Sequence, residues 1–328
     1  MAYIVATATQ TYIPLAPHHT FGRLADSVDT HIDKPYVSKL HAAIEWNGSE
    51  WRIKNLGLNG TWLNTVNLPA GESVALALND MLYFAALTDP AFTVIDLSPP
   101  TDMLWPLNIA AGTPPQPIYL VRYHLLPDAY KPELALYFDE QHQDWQIDTL
   151  NDQQEHLTYA VKNGDVVQMG NAHWQLMRAQ IYGPTEAQSL NLQQLNDMEF
   201  VFKLSLDEET TQLQLMCGQH QVDLAIRNHH YLLAHLARHR ADDATLGLDS
   251  INQGWVYTDI LANELGLDNT HMNIYIFRLR KQIADTLPTL LGLQNLVERR
   301  GGKIRFGCNK FKIYKGGALT LELPLAMI

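Results

Sequence analysis

Apolar and polar residues alternate in short runs over the first hundred residues of the chain. These runs predict strands over Tyr3–Ala8, His41–Trp46, Trp51–Asn55, Thr61–Leu63, Val74–Ala77, Met81–Ala85 and Phe92–Leu97. Turn-forming pairs such as Asn47-Gly48 and Asn59-Gly60 separate the runs. Short strands at close spacing with Gly and Asn turns are typical of an antiparallel β-sandwich, which we expect over residues 1–98.

A proline-rich stretch, residues 99–117, is predicted to be a linker, and strand patterns return over residues 118–181. The segment LALYFDEQHQDWQIDTL resembles the earlier HAAIEWNGSEWRIKNL, with Trp145 in the place of Trp51. Residues 118–181 are therefore either a degenerate second copy of the sandwich, without its polar loops, or a β-rich packing module.

The pattern changes to a helical period beyond Asn228. A polar connector, residues 182–196, precedes strands predicted over Glu199–Leu206, Thr211–Met216 and Gln221–Leu224. Helices follow from Asn228, over Val256–Leu265 and over Asn269–Leu287, and then a hairpin over Leu296–Gly307. The prediction is a multidomain, mainly β chain with an α+β domain over residues 197–308 and a C-terminal tail over 309–328.

Length and composition predict ordinary globular domains. The 328 residues exceed one average domain, and 46% are hydrophobic. Neither a membrane-spanning run nor a signal-peptide pattern is present. The two cysteines, Cys217 and Cys308, lack the spacing of a zinc site. We therefore expect a cytoplasmic protein without a metal or cofactor, and not at a membrane.

Charge is divided unevenly along the chain, whose net charge is −12. Residues 1–222 hold 10 Lys and Arg against 25 Asp and Glu, whereas residues 223–328 hold 13 against 10. Local charge decides whether a face can neutralise phosphate groups. A nucleic-acid partner would therefore have to meet the C-terminal part.

Three polar loop motifs interrupt the predicted sandwich: Gly22-Arg23, Ser38-Lys39-Leu40-His41 and Asn59-Gly60-Thr61. Their order and spacing over residues 2–98 resemble those of the forkhead-associated (FHA) domain. The resemblance implies recognition of phosphothreonine, whose charge and three acceptor oxygens favour guanidinium, hydroxyl and amide donors.

The resemblance also assigns roles to these residues. Arg23 and Ser38 would bind the phosphate, and Lys39 would add charge. Asn59 would bind the peptide backbone, with Thr61 in the same binding set. Gly22, His41 and Gly60 would be structural. The chain departs from the family pattern at Leu58, where Thr or Ser is usual, and at Asn55, where Asp is usual.

The C-terminal segments MNIYIFRLRKQI and LVERRGGKIRFG resemble the winged-helix output domain of response regulators of the OmpR type. In the third helix, Met272, Ile276, Leu279 and Ile283 form an apolar stripe for the core. The opposite face, which carries Ile274 and Phe277, suits a major groove. The candidate DNA-binding residues are Thr270, Asn273, Arg278 and Lys281 on the helix, and Arg299, Arg300, Lys303 and Arg305 in the wing.

No nucleophile motif or phosphate loop indicates catalysis, so we do not expect an enzyme. The leading hypothesis is a transcriptional regulator whose partners are double-stranded DNA and a phosphothreonine protein, such as a Ser/Thr kinase or its substrate. Phosphothreonine binding between copies would give a homo-oligomer. The alternative is a phospho-signalling adaptor whose winged helix does not bind DNA.

Overall fold

The computed structural model describes residues 1–87, 91–151, 155–179, 193–218 and 220–324. The chain forms two compact units. The N-terminal unit comprises Met1–Leu120 and Lys162–Thr185, and the C-terminal unit comprises Val121–Val161 and Glu186–Ile328. Most of the connector expected over residues 182–196 lies outside the described residues.

Two sheets of the N-terminal unit form the expected sandwich. One contains β1 (Tyr3–Ala6), β2 (Thr11–Pro14), β7 (Thr61–Leu63), β8 (Val66–Asn67), β10 (Met81–Phe84) and β11 (Phe92–Asp96). The other contains β3 (His18–Gly22), β4 (Thr30–His31), β5 (Ala42–Trp46), β6 (Trp51–Asn55) and β9 (Ser73–Ala75). Alternate residues such as Ile44 and Ile53 are completely buried, as the two-residue period of a strand requires.

A third sheet of this unit contradicts the linker prediction for residues 99–117. It contains β12 (Met103–Pro106), β13 (Ile118–Tyr119), β18 (Val166–Met169) and β19 (Ala172–Met177), in the order β13-β12-β19-β18. Met103 and Leu104 are completely buried. The apolar run between the prolines is therefore a strand, because it pairs with β19 along its whole length.

The C-terminal unit begins with a four-stranded antiparallel sheet, the 123–161 sheet. Its strands are β14 (Tyr123–Leu126), β15 (Leu134–Asp139), β16 (Asp144–Leu150) and β17 (His156–Val161), in chain order. β15 and β16 form the hairpin expected from the internal similarity. The β18 segment of the expected module lies in the N-terminal unit, so residues 118–181 do not form one second sandwich.

The remaining described elements of the C-terminal unit include the three strands, three helices and hairpin expected from the sequence, together with five strands that were not expected. They are β20 (Gln193–Gln194), β21 (Glu199–Leu204), β22 (Thr211–Cys217), β23 (His220–Ile226), α1 (His229–Thr245), β24 (Val256–Tyr257), α2 (Thr258–Leu265), α3 (Asn269–Thr286), β25 (Leu290–Leu291), β26 (Val297–Arg300), β27 (Lys303–Phe306), β28 (Phe311–Lys315) and β29 (Ala318–Leu323). Short 3₁₀ turns cover Ala25–Ser27, Leu195–Asp197 and Leu293–Leu296.

Residues 309–328 are not a simple tail. β28 pairs in parallel with β21, and the sheet has the order β23-β22-β21-β28-β29. Phe311 and Ile313 alternate into the core and are completely buried. This five-stranded sheet is therefore complete only when the chain returns after the β26–β27 hairpin and adds β28 and β29.

Local signals fix the helix ends of this unit. α2 ends at Gly266, whose φ of 63° is the left-handed conformation that favours glycine. α3 begins after Asp268, whose carboxylate accepts a hydrogen bond from the amide of His271. Within the described part of the chain, no helix is both long and apolar enough to cross a bilayer.

Candidate functional site

Two of the polar loops of the sandwich are joined through their backbones. The Arg23 amide donates to the Ser38 carbonyl at 2.9 Å, and the Leu24 amide donates to the Lys39 carbonyl at 3.2 Å. Gly22 permits this approach, because a Cβ atom there would lie 2.1 Å from the Lys39 carbonyl oxygen. Arg23 is consequently held beside the Ser38 loop.

His41 braces the second loop against the third. Its Nδ1 accepts a hydrogen bond from the Ser38 amide at 3.0 Å, so its Nε2 carries the proton and donates to the Gly60 carbonyl at 2.9 Å. Burial lowers the pKa of His41 more than the bond to Gly60 raises it. A neutral, fully buried imidazole therefore links the two loops.

Thr61 is a correction to the predicted binding set. It is completely buried, and its hydroxyl donates to Oδ1 of Asn55 at 3.0 Å. The same Asn55 oxygen accepts from the Gly57 amide at 3.0 Å. Thr61 therefore shapes the loop from within and does not reach a ligand. Asn55 fills this acceptor role in place of the family's usual Asp.

The remaining predicted residues line one open groove of about 510 Å³. Arg23 is exposed and donates from Nε to the Val37 carbonyl at 3.2 Å, and its two terminal nitrogens have no partner among the described residues. Ser38 Oγ accepts from the Leu58 amide, and Asn59 Nδ2 donates to the Tyr36 carbonyl at 2.7 Å. The structure thus brings Arg23, Ser38, Lys39 and Asn59 together.

Leu58 is 97% exposed at the edge of this groove. Its backbone amide is engaged by Ser38 at 3.2 Å, but its side chain offers no hydrogen-bond donor. The position occupied by a hydroxyl in the family pattern therefore presents an aliphatic group to the groove.

The second candidate site, α3 in the C-terminal unit, differs from its prediction on the outer face. Its core stripe is confirmed, since Met272 and Ile276 are both completely buried. However, Phe277 is only 3% exposed, and α3 packs against β14 of the 123–161 sheet, whose Tyr123 and Leu125 belong to the same apolar cluster as Phe277. The face expected to be free for DNA is therefore covered by protein.

The polar residues of α3 are also mostly engaged. Asn273 is buried and accepts a hydrogen bond from Arg299. The Arg278 guanidinium donates to the carbonyls of Ala129 and Tyr130, at 3.3 and 3.0 Å. In addition, Lys281 pairs with Asp285 and Thr270 is exposed. Asn273 and Arg278 are thus not available to DNA in this structure, contrary to their prediction.

Of the four cations of the hairpin β26–β27, two are engaged by polar side chains and two lie near the turn. Arg299 is half-buried and bonds to Asn273, and burial, with help from the Arg280 charge, lowers its pKa to about 10. Arg305 pairs with Glu298. Near the Gly301-Gly302 turn, the Arg300 guanidinium stacks over the Trp255 ring at 4.5 Å, and Lys303 lies 4.4 Å from the Tyr257 ring. Arg300 and Lys303 are the cations that remain at the tip.

One buried ion pair of this unit was not predicted from the sequence. Arg280 Nη1 lies 2.6 Å from Asp148 Oδ2, and the side chains are 4% and 2% exposed. Burial acts to raise the pKa of Asp148, but hydrogen bonds and charge from His156 and Arg280 hold it below its usual range. The pair joins α3 to β16, 132 residues apart in the chain.

The comparisons with known proteins bear on the N-terminal unit. Residues 19–85 match the FHA domain model, and no curated protein matches the chain. Three solved structures each match about 30% of this chain, with TM-scores of 0.26–0.27. Mycobacterium tuberculosis EmbR in complex with a low-affinity phosphopeptide is 28% identical, with 25% of its chain covered and a TM-score of 0.26. The chain thus spans a quarter of EmbR.

The N-terminal FHA domain of S. cerevisiae Rad53p, in complex with a phosphothreonine peptide, is 20% identical over 30% of this chain and 93% of that chain, with a TM-score of 0.27. An FHA domain of an Arabidopsis thaliana hypothetical protein is 23% identical over 30% and 88%, also with a TM-score of 0.27. The matched residues 19–85 contain all three polar loops of the groove. The N-terminal sandwich of this chain contains an FHA domain.

Proposed function

We propose that the chain recognises phosphothreonine in a partner protein through the groove of its FHA domain. The observation that carries this proposal is the convergence of Arg23, Ser38, Lys39 and Asn59 on one open groove. Retention of the full chain on a degenerate phosphothreonine peptide library, and its release when the peptides are dephosphorylated, tests the proposal.

The donors of the groove match the chemistry of a phosphate monoester. The two terminal nitrogens of Arg23 can bind two phosphate oxygens, and Lys39 adds a second positive charge. Because Ser38 Oγ accepts from the Leu58 amide, its own proton is available to a third oxygen.

Asn59 is placed to bind the backbone of the phosphopeptide. Asn59 uses its amide nitrogen on the Tyr36 carbonyl, which fixes the side chain and leaves its Oδ1 to accept a peptide N–H. Recognition therefore divides between phosphate donors and one backbone acceptor.

Leu58→Thr is expected to raise the affinity for a phosphothreonine peptide by about 3–10-fold, since one added hydrogen bond contributes about 1 kcal/mol. The matched control is Leu58→Val, which has the shape of threonine without its hydroxyl. Isothermal titration calorimetry of the three proteins measures the effect. Equal affinities for the Thr and Val variants would exclude a phosphate at this position.

We propose that the C-terminal unit binds DNA as part of a transcriptional regulator. We further propose that the unit is here in a closed state, in which the 123–161 sheet covers the DNA-binding face of α3. Support for DNA binding comes from the basic tip, where Arg300 and Lys303 flank the Gly301-Gly302 turn. A cleft of about 490 Å³ next to this turn also reaches Asn269 at the start of α3. A helix that enters a major groove needs its outer face free. The 123–161 sheet would therefore have to leave α3 first.

The adaptor hypothesis remains the second candidate, and the covered face of α3 favours it. Phe277 is buried and α3 packs against β14 of the 123–161 sheet, so this face already serves as a protein-packing surface. An adaptor would keep the 123–161 sheet in place and would bind no DNA at low salt.

The double variant Arg300→Ala/Lys303→Ala is expected to reduce the salt dependence of DNA binding. Loss of two phosphate contacts lowers the slope of log affinity against log salt by about 2. Fluorescence anisotropy with a random duplex at several salt concentrations measures the slope. The control is Lys203→Ala/Lys310→Ala, which removes two exposed lysines outside the hairpin. The same slope in both double variants would contradict DNA contact by the tip.

A further inference from the structure

Two histidines of α1 and one glutamate of α2 meet at the surface of the C-terminal unit. His235 and His239 are four residues apart, so their rings lie on one face of the helix. Each Nε2 lies 2.9 Å from the same oxygen of Glu264. The three ligand atoms all lie within 4.8 Å of one another.

We propose that His235, His239 and Glu264 bind one divalent transition-metal ion of the zinc type. This site is separate from the proposed phosphothreonine and DNA functions. Two imidazole nitrogens and one carboxylate oxygen are donors that Zn²⁺, Co²⁺ and Ni²⁺ accept, and this set of three leaves a fourth position for water or another ligand.

The distances suit such an ion. With bonds of about 2.0–2.1 Å, the ligand atoms of a tetrahedral zinc site lie about 3.3 Å apart. The Nε2 to Oε2 distances of 2.9 Å need to lengthen by only a few tenths of an ångström for the ion to replace the two N–H protons. The rings stand at 85° to each other with centroids 5.2 Å apart, so both can turn an edge to one ion.

The three side chains are open to solvent. The side chains of His235, His239 and Glu264 are 20%, 31% and 35% exposed, which leaves a path for the ion.

One feature limits the expected affinity. Nδ1 of His235 is buried and has no hydrogen-bond partner among the described residues. When Nε2 binds a metal, Nδ1 carries the proton, and the usual outer acceptor that strengthens a ligating histidine is missing. We expect weaker binding than at a structural zinc site.

The test uses the full chain after dialysis against a chelator. Titration with ZnCl₂ at about pH 7.5 is expected to show one equivalent bound and, at saturation, a rise in Tm of about 4–8 °C. CoCl₂ is expected to give the visible absorption bands of a four-coordinate ion.

His239→Ala and Glu264→Gln are each expected to lower the Zn²⁺ affinity at least 10-fold, on the scale of a lost metal ligand. His271→Ala is the matched control, because it removes an exposed histidine that pairs with only one carboxylate, that of Asp268. Cys217→Ser controls for binding by the half-buried thiol. The proposal is wrong if Zn²⁺ leaves the Tm unchanged, or if His239→Ala binds Zn²⁺ as tightly as His271→Ala does.

Discussion

Asp148→Ala is expected to lower the free energy of unfolding of the C-terminal unit by about 3–5 kcal/mol, because it leaves the Arg280 charge buried without its partner. Chemical denaturation followed by tryptophan fluorescence measures the change. Gln141→Ala, at an exposed position of the turn between β15 and β16, is the control and should change stability by about 0.5 kcal/mol or less.

The double variant Asp148→Leu/Arg280→Met separates the buried charge from the loss of packing. It removes both charges and is expected to cost only about 1–2 kcal/mol, mainly because the carbonyls of Gln294 and Val297 lose their donor. A double variant as unstable as Asp148→Ala would contradict the view that an unpaired charge dominates.

The same pair of variants tests the closed state of α3. Asp148→Ala loosens the 123–161 sheet and should raise affinity for a random DNA duplex about 10-fold or more, whereas the double variant keeps the sheet in place and should not. If Asp148→Ala is destabilised but binds DNA no better than the unaltered chain, the 123–161 sheet does not block DNA binding by α3. That result would support the adaptor hypothesis.

Arg23→Ala is expected to weaken binding of a phosphothreonine peptide by about 100-fold. It removes charge-assisted hydrogen bonds to the phosphate, which together contribute about 3 kcal/mol. Arg23→Lys should recover only part of this affinity, because a lysine cannot bind two oxygens at fixed geometry. Since Arg23 is exposed, the Tm should not change.

Arg52→Ala is the matched control for Arg23, since Arg52 belongs to the same sandwich but pairs with Glu50 outside the groove. Calorimetry with one peptide selected from the library compares the variants. Equal affinities for Arg23→Ala and Arg52→Ala would mean that the groove does not hold the phosphate.

Much of the N-terminal unit could be predicted from sequence, because its elements depend on local patterns. The seven predicted strands coincide with observed strands to within about two residues, and the three loop motifs meet in one groove. The misses have local causes. Thr61 was predicted to bind the phosphopeptide because a motif gives residue types and not burial. The strand Met103–Pro106 was not predicted because prolines flank it on both sides.

The C-terminal unit was less predictable because its decisive contacts join distant segments. The apolar stripe of α3 follows from the periodicity of the sequence. The packing of β14 against α3 does not, because β14 lies about 150 positions earlier in the chain. The spacing of His235 and His239 is visible in the sequence, but it completes none of the established zinc-binding motifs. Their meeting with Glu264 depends on how α1 and α2 pack.

Recognition of phosphothreonine by the chain is tested most directly by one calorimetric comparison. A peptide selected from the degenerate library is titrated into the full chain as its phosphothreonine, phosphoserine and unphosphorylated threonine forms. We expect the phosphothreonine form to bind with one equivalent, at least about 100-fold more tightly than the unphosphorylated form. Equal binding of these two forms would contradict phosphothreonine recognition.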